Sequence, residues 1–150
     1  MSTARRAPTY TMRIDSRLEN VCLVARSARV ICAGAGFDDG TGCAIELCVV
    51  EAVNNAIEHA YAREPGHVVE VALAFAAAAV RVEVRDRGRR MDWPAARARA
   101  DDYAPDLAER GRGIVIMRSL MQDVSYRTVD GCNVLSMKAA PTARPLRVPF

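Results

Sequence analysis

Lysine is almost absent from this 150-residue chain: Lys138 is the only one, so nearly all the positive charge is arginine. Guanidinium groups favour bidentate contact with phosphate or carboxylate, although genome base composition also produces Arg- and Ala-rich chains. Histidine is reduced to His59 and His67, and no C-x-x-C occurs. A structural zinc site is therefore excluded, because the spacings do not fit. The five cysteines, Cys22, Cys32, Cys43, Cys48 and Cys132, are odd in number. Most fall at apolar positions of helical patterns, so they read as reduced core residues of a cytoplasmic protein. No apolar run follows Arg5 and Arg6, so neither a signal peptide nor a membrane span is expected. The alanine-rich run around Val71–Val84 is too short to cross a bilayer and carries Glu70, Arg81 and Glu83 in or beside it. A net charge of +3 is mild and does not call for nucleic acid.

What remains is an ordinary globular composition, 51% hydrophobic and 26% charged, in a length that suits one domain with a real core. Residues 1–7 and 141–150 are expected to be flexible, the latter for its three prolines, which leaves 8–140 as the domain. Residues 8–14 alternate and read as a strand. Ser16 with Glu19 has capping-box spacing for a helix to about Ala33, stopped by Gly34-Ala-Gly36. A second helix starts at Thr41 or an Asp before it and ends before Pro65-Gly66. Strands follow at 67–75 and 79–85, a short helix from Trp93 to Ala100, and a loop over 101–112. An apolar helix then spans Ile114–Met121, and strands at 123–129 and 132–138 turn at Asp130-Gly131. The order β-α-α-β-β-α-loop-α-β-β, with strands in hairpins, predicts an α+β two-layer sandwich. Its sheet is largely antiparallel and helices cover one face.

Three segments carry chemistry. On the second helix, Glu51, Asn55 and Glu58 share one narrow stripe at 100° per residue. Cys48, Val49, Ala52, Val53, Ala56, Ile57 and Ala60 fill the other side. A carboxylate one turn from a carboxamide can activate a hydroxyl and ligate a hard cation. A solvated helix face fits the same residues. At a strand end, Asp86-Arg-Gly88 offers an acceptor for an exocyclic amine and room for a planar ring; a plain turn also fits. Gly111-Arg-Gly113 opens a helix whose bare N–H groups attract anions, with Arg110 and Arg112 adding positive charge. A flexible loop feeding a helix is the alternative. His59 reads as a structural histidine and Glu58 as a surface carboxylate. The arginines at 81, 85, 87, 89, 90, 97 and 99 read as a mixed surface, and Trp93 suits either core or partner contact.

Residues 51–61, Glu-Ala-Val-Asn-Asn-Ala-Ile-Glu-His-Ala-Tyr, resemble the N-box of the GHKL ATPase superfamily. The closer similarity is to bacterial anti-sigma factor serine kinases of the RsbW and SpoIIAB type. Val84-Arg-Asp-Arg-Gly88 resembles their first glycine box, and the stretch from Gly111 to Val124 their second glycine box with the helix after it. Order and spacing agree from about residue 10 to 140. The resemblance implies a Bergerat ATP-binding fold, with helices over a mixed sheet and nucleotide held between the helices and a lid loop. It implies that Asn55 ligates Mg2+, that Glu51 is the general base and that Asp86 binds the adenine amino group. Gly88 gives the ring room, and Met91 and Asn133 join the nucleotide contacts. Gly111, Arg112, Gly113 and Ile114 wrap the phosphates of ATP or ADP. In such proteins a serine or threonine of a STAS-domain antagonist is phosphorylated. The kinase, as a homodimer, alternatively holds a sigma factor. Neither nucleic acid nor membrane is a direct partner. A single Asn suffices for magnesium, which keeps phosphates and waters for its other positions, and phosphoryl transfer mostly needs positioning and charge neutralisation.

Three residues depart from the family pattern: Arg90 stands for the second glycine of the first box, Asn133 for a threonine near the last strand, and Val115 for a hydroxyl residue. They bear on nucleotide affinity rather than on the fold. Arg90 favours a kinase-inactive module that only sequesters a partner; the Glu51–Asn55 pair opposes it. A catalytic domain detached from a histidine kinase is a further alternative. The short lid and the absence of a phospho-acceptor helix oppose that one.

Overall fold

A computed structural model describes residues 8–102 and 111–140. The sequence expectations for 1–7, 141–150, Arg110 and most of the 101–112 loop lie outside those residues. Strand β1 (Thr9–Asp15) leads through one 3-10 turn into α1 (Val21–Gly34) and α2 (Asp39–Asn55), which continues as a π-helical turn over Ala56–Ala60. Strands β2 (Val68–Ala76) and β3 (Ala79–Asp86), helices α3 (Trp93–Asp101) and α4 (Arg112–Leu120), and strands β4 (Gln122–Val129) and β5 (Cys132–Ala139) follow. The expected order holds. Helix α3 reaches one residue into what the sequence assigned to a loop.

The five strands form one sheet in the order β1-β2-β3-β5-β4, and every described pairing is antiparallel. Alternation decides its two faces. Val69, Val71, Leu73 and Phe75 of β2 point under the helices, beside Val80, Val82 and Val84 of β3 and Leu135 and Met137 of β5. Ala25, Ala28 and Cys32 of α1 and Ile45, Cys48, Val49 and Val53 of α2 close the core from above. The opposite face carries a charged ladder. Glu70 meets Arg13 and Arg85, and Glu83 meets Arg85 and Arg127. Burial would raise the Glu83 carboxyl, but the two guanidiniums outweigh it and hold the group below its usual range.

Local signals were overridden in two places. Ser16 and Glu19 form no capping box. Ser16 is buried, and its hydroxyl donates to Glu64 O at 2.5 Å and accepts from His67 N at 3.2 Å. Closing the 61–67 loop outcompetes a local cap, so α1 starts only at Val21, without a side-chain cap. The expectation of core cysteines holds for Cys32 and Cys48 alone. Cys22 and Cys43 are exposed, Cys132 is half-buried, and all five are free thiols. At α2, by contrast, Asp38 caps as its position suggests, accepting from Thr41 N at 2.8 Å.

Leu73 is fully buried at the centre of the sheet. Leu73→Ala is expected to cost about 3 kcal/mol, within the usual range for such cavities, as a lower urea midpoint with an unchanged slope.

Candidate functional site

Helix α2 packs by its apolar arc and leaves Glu51 and Asn55 half-exposed on its other side. Among the described residues, no hydrogen bond or ion pair engages either side chain. Helix α4 lies directly on this stripe. A Cβ built on Gly113 would stand 2.9 Å from Glu51 Oε2 and 3.6 Å from Asn55 Nδ2. Any larger residue at 113 would push the carboxylate aside. The glycine therefore lets the start of α4 approach the acid and amide closely.

That start is an anion site in form. Gly111 is the N-cap, in the left-handed region at φ 91°, with no side chain closing the helix end. Val115 is the first residue to donate along the helix, to Gly111 O at 3.3 Å. Among the described residues, the N–H groups of Arg112, Gly113 and Ile114 meet no acceptor. Arg112 is exposed, whereas the Ile114 side chain is buried in the core. Ile114 can contribute its backbone alone.

The loop after β3 supplies the other half. Asp86 is the last residue of β3, is nearly buried, and pairs across the sheet with Asn133 of β5. Its Oδ1 accepts from Gly88 N at 3.0 Å and from Asn133 Nδ2 at 2.8 Å. The second amide hydrogen of Asn133 goes to Gly88 O at 3.1 Å. Burial pushes the Asp86 carboxyl up from its ordinary 3.8, and these two donors oppose the rise. A Cβ on Gly88 would collide with the Ala60 carbonyl, which accepts from Arg89 N at 2.8 Å. The structural demand for glycine at 88 thus comes from the π-helical turn as much as from any ring. Two phenols clamp the loop from either side. Tyr61 OH accepts from Arg87 N and donates to Val68 O, both at 2.8 Å, and Tyr126 OH accepts from Met91 N at 2.9 Å.

The expected residues Glu51, Asn55, Gly111, Arg112, Gly113 and Ile114 therefore form one group, and Asp86, Gly88, Met91 and Asn133 a second, joined through the end of the α2 helix. Arg90 is exposed and has no positive φ. It lines a cleft of about 540 Å³ with Met91, Asp92, Trp93, Pro94 and Tyr126, apart from Glu51, Asn55 and Asp86. Trp93 stacks on Tyr126 in that cleft, 6.0 Å between centroids. His59, expected as a structural histidine, is exposed. Ala60, Tyr61, Tyr126 and Thr128 were given no site role by the sequence, since Ala60, Tyr61 and Tyr126 act through Arg89, Arg87 and Met91 on a distant loop, and Thr128 through the β4–β5 pairing. Burial drives the Cys48 thiol up to about 12, and the Glu51 charge adds to it, so no thiolate competes as nucleophile here.

The chemistry of the donor set suits a nucleotide with a hard cation. Asn55 offers an uncharged oxygen, Glu51 a free carboxylate and α4 a row of N–H groups. Among the described residues, no group of three or more His, Cys, Asp or Glu could hold a metal by itself, so a cation here needs phosphate oxygens to complete its shell. No described helix is long and apolar enough to cross a membrane.

The histidine kinase-like ATPase domain family matches residues 14–139. A serine-protein kinase RsbW of Bacillus pumilus (strain SAFR-032) is 28% identical over 137 residues, covering 85% of this chain and 83% of that protein. One of Staphylococcus aureus (strain MRSA252) is 26% identical over 136 residues, with 85% and 84% covered. The crystal structure of the RsbU and RsbW domains of Rv1364c from Mycobacterium tuberculosis superposes with a TM-score of 0.66 at 23% identity. It covers 95% of this chain and 35% of that longer one, which bears on the fold.

Asp86→Asn should stabilise the protein at neutral pH, because the amide keeps an acceptor for both donors and removes a buried charge. The sign fixes the window. A carboxyl raised in the folded state is neutral in both states below the ordinary 3.8, so the variant's advantage vanishes there. It grows as pH rises from the ordinary value to the raised folded one and levels off above that. Thermal melts of both proteins from acid to neutral pH check this.

Proposed function

The chain belongs to the histidine kinase-like ATPase domain family, and from that premise we propose that it is an ATP-dependent protein-serine/threonine kinase of a partner-switching pair. The observation that carries this is the seating of Gly113 on Glu51 and Asn55. It sets an anion-binding helix end beside a free carboxylate and a free carboxamide. ATP lies with its base at Asp86 and its phosphates at the N–H groups of Arg112, Gly113 and Ile114. Gly88 and Met91 frame the base. Asn55 would hold Mg2+, which would supply neutralisation of the phosphate charge.

In the transfer, the acceptor hydroxyl oxygen bonds to the γ-phosphorus while the bond to the β-bridging oxygen breaks, releasing ADP. The hydroxyl proton goes to Glu51. The α4 N–H groups hold charge that spreads over the phosphoryl oxygens. The acceptor is a serine or threonine of a STAS-domain antagonist, and the alternative client is a sigma factor or similar regulator held by a homodimer in the cytoplasm. The names of the RsbW relatives support kinase activity on protein serine. Arg90, the residue that favoured a purely sequestering module, faces the neighbouring cleft and does not intrude between Asp86 and Asn133.

Radiolabelled ATP, Mg2+ and a STAS-domain protein provide the test. Glu51→Ala is expected to lower phosphotransfer at least about 100-fold while ATP affinity by calorimetry stays near that of the unaltered protein. Unchanged transfer would remove Glu51 from its role. Asn55→Ala is expected to lose the part of ATP affinity that depends on Mg2+. If its affinity still rises on adding the metal as much as the parent's does, Asn55 is not the ligand.

A further inference from the structure

Asn133 has no amide hydrogen left for a ligand. One goes to Asp86 Oδ1 and one to Gly88 O. Its own oxygen accepts from Thr128 Oγ1 at 2.9 Å, and the residue is 2% exposed. The reversed amide would set its oxygen against two acceptors, so the network fixes the orientation. Asp86 is correspondingly one-sided. All its described hydrogen bonds are to Oδ1, and Oδ2, without a partner, is not sealed from solvent, since no buried side-chain oxygen is left unpaired among the described residues.

We propose that Asn133, held by Thr128, is a positioning residue that pins Asp86 by one carboxylate oxygen and thereby presents the other to an amino group on the purine. The proposal rests on the nucleotide reading above and deepens it, since it assigns base selectivity to a pair on β4 and β5 that does not touch the base. An ionised carboxylate only accepts, so it selects a purine carrying an amino donor over one without it. The carboxylate needs fixing because nothing charged does so: its hydrogen bonds come from an amide and a backbone N–H. The titratable groups around it are Tyr61 from the π-helical turn and Tyr126 from β4, both with phenols pushed up by burial and therefore neutral. Arg87 and Arg90 flank the loop on the exposed side, and Cys132 is half-buried on β5. With one oxygen engaged by Gly88 N and Asn133, rotation about the Asp86 side chain would break two bonds at once.

Calorimetry with Mg2+ and two probes, ATP and purine riboside triphosphate, which lacks the amino group, tests this. The unaltered protein should prefer ATP by about tenfold, the factor that about 1.4 kcal/mol represents. Asn133→Ala should bring that ratio close to one by weakening ATP alone, with purine riboside triphosphate bound as before. Thr128→Val, a milder change that keeps the fold if Asn133→Ala does not, should lower the ratio roughly threefold, about half the effect on a logarithmic scale. A parallel loss for both probes would make Asn133 a loop support and overturn the proposal, as would an undiminished preference in both variants. Failure of the unaltered protein to bind either probe would instead bring down the nucleotide reading and the proposal with it.

Discussion

The site depends on one close approach. With no side chain at 113, the start of α4 meets the Glu51–Asn55 stripe without displacing the carboxylate. The approach also serves electrostatics. A carboxylate beside a helix N-terminus gains roughly 0.3–1 kcal/mol from the helix dipole, and Glu51 lies beside the start of α4. An Arg or Lys bound to it would neutralise its charge and fill the space in front of it.

The second half of the site works by the opposite means, since its acid is not left free but half-engaged. A carboxylate as buried as Asp86 is expensive to ionise, and hydrogen bonds to a charged acceptor return about 1.5–3 kcal/mol each. Two donors at one oxygen offset much of the burial while leaving the other oxygen able to accept. The same principle appears on the loop backbone, where Arg87, Gly88, Arg89 and Met91 each donate to a defined acceptor. A loop so completely bonded holds its shape without the second glycine that the family pattern places where Arg90 stands.

How much of this was legible in the sequence follows range of interaction. The Glu51–Asn55 stripe, the start of α2 at Thr41 or an Asp before it, and the alternation of Val80, Val82 and Val84 are all set by neighbours within a turn or a pleat, and each reads from the sequence. The Ser16–Glu19 pattern is equally local and misled, because Ser16 is spent on Glu64 and His67, some fifty residues away. The role of Asn133 needs the register that places it opposite Asp86. No local pattern carries that register. Nor could the chain show that Gly113 matters to Glu51, since the contact spans more than sixty positions. Cys22 and Cys43 failed as core residues for a related reason: an apolar residue near the edge of a helix's buried arc needs a neighbouring element to cover it, and at these two positions none does.

The π-helical turn links the two halves. Tyr61 N donates to Ala56 O, five residues back, so the helix ends wider than an α-helix would. Glu58, within this turn, lies near Arg63, 3.7 Å away. The turn also frees the Ala60 carbonyl to take Arg89 N and swings Tyr61 under the Asp86 loop, where its hydroxyl joins Arg87 to Val68. A regular helix through residue 60 would spend the Ala60 carbonyl within itself or turn it to water. The irregularity at the end of α2 is thus what fastens the Asp86 loop to the helix that carries Glu51 and Asn55, and it sets the distance between the two halves of the candidate site.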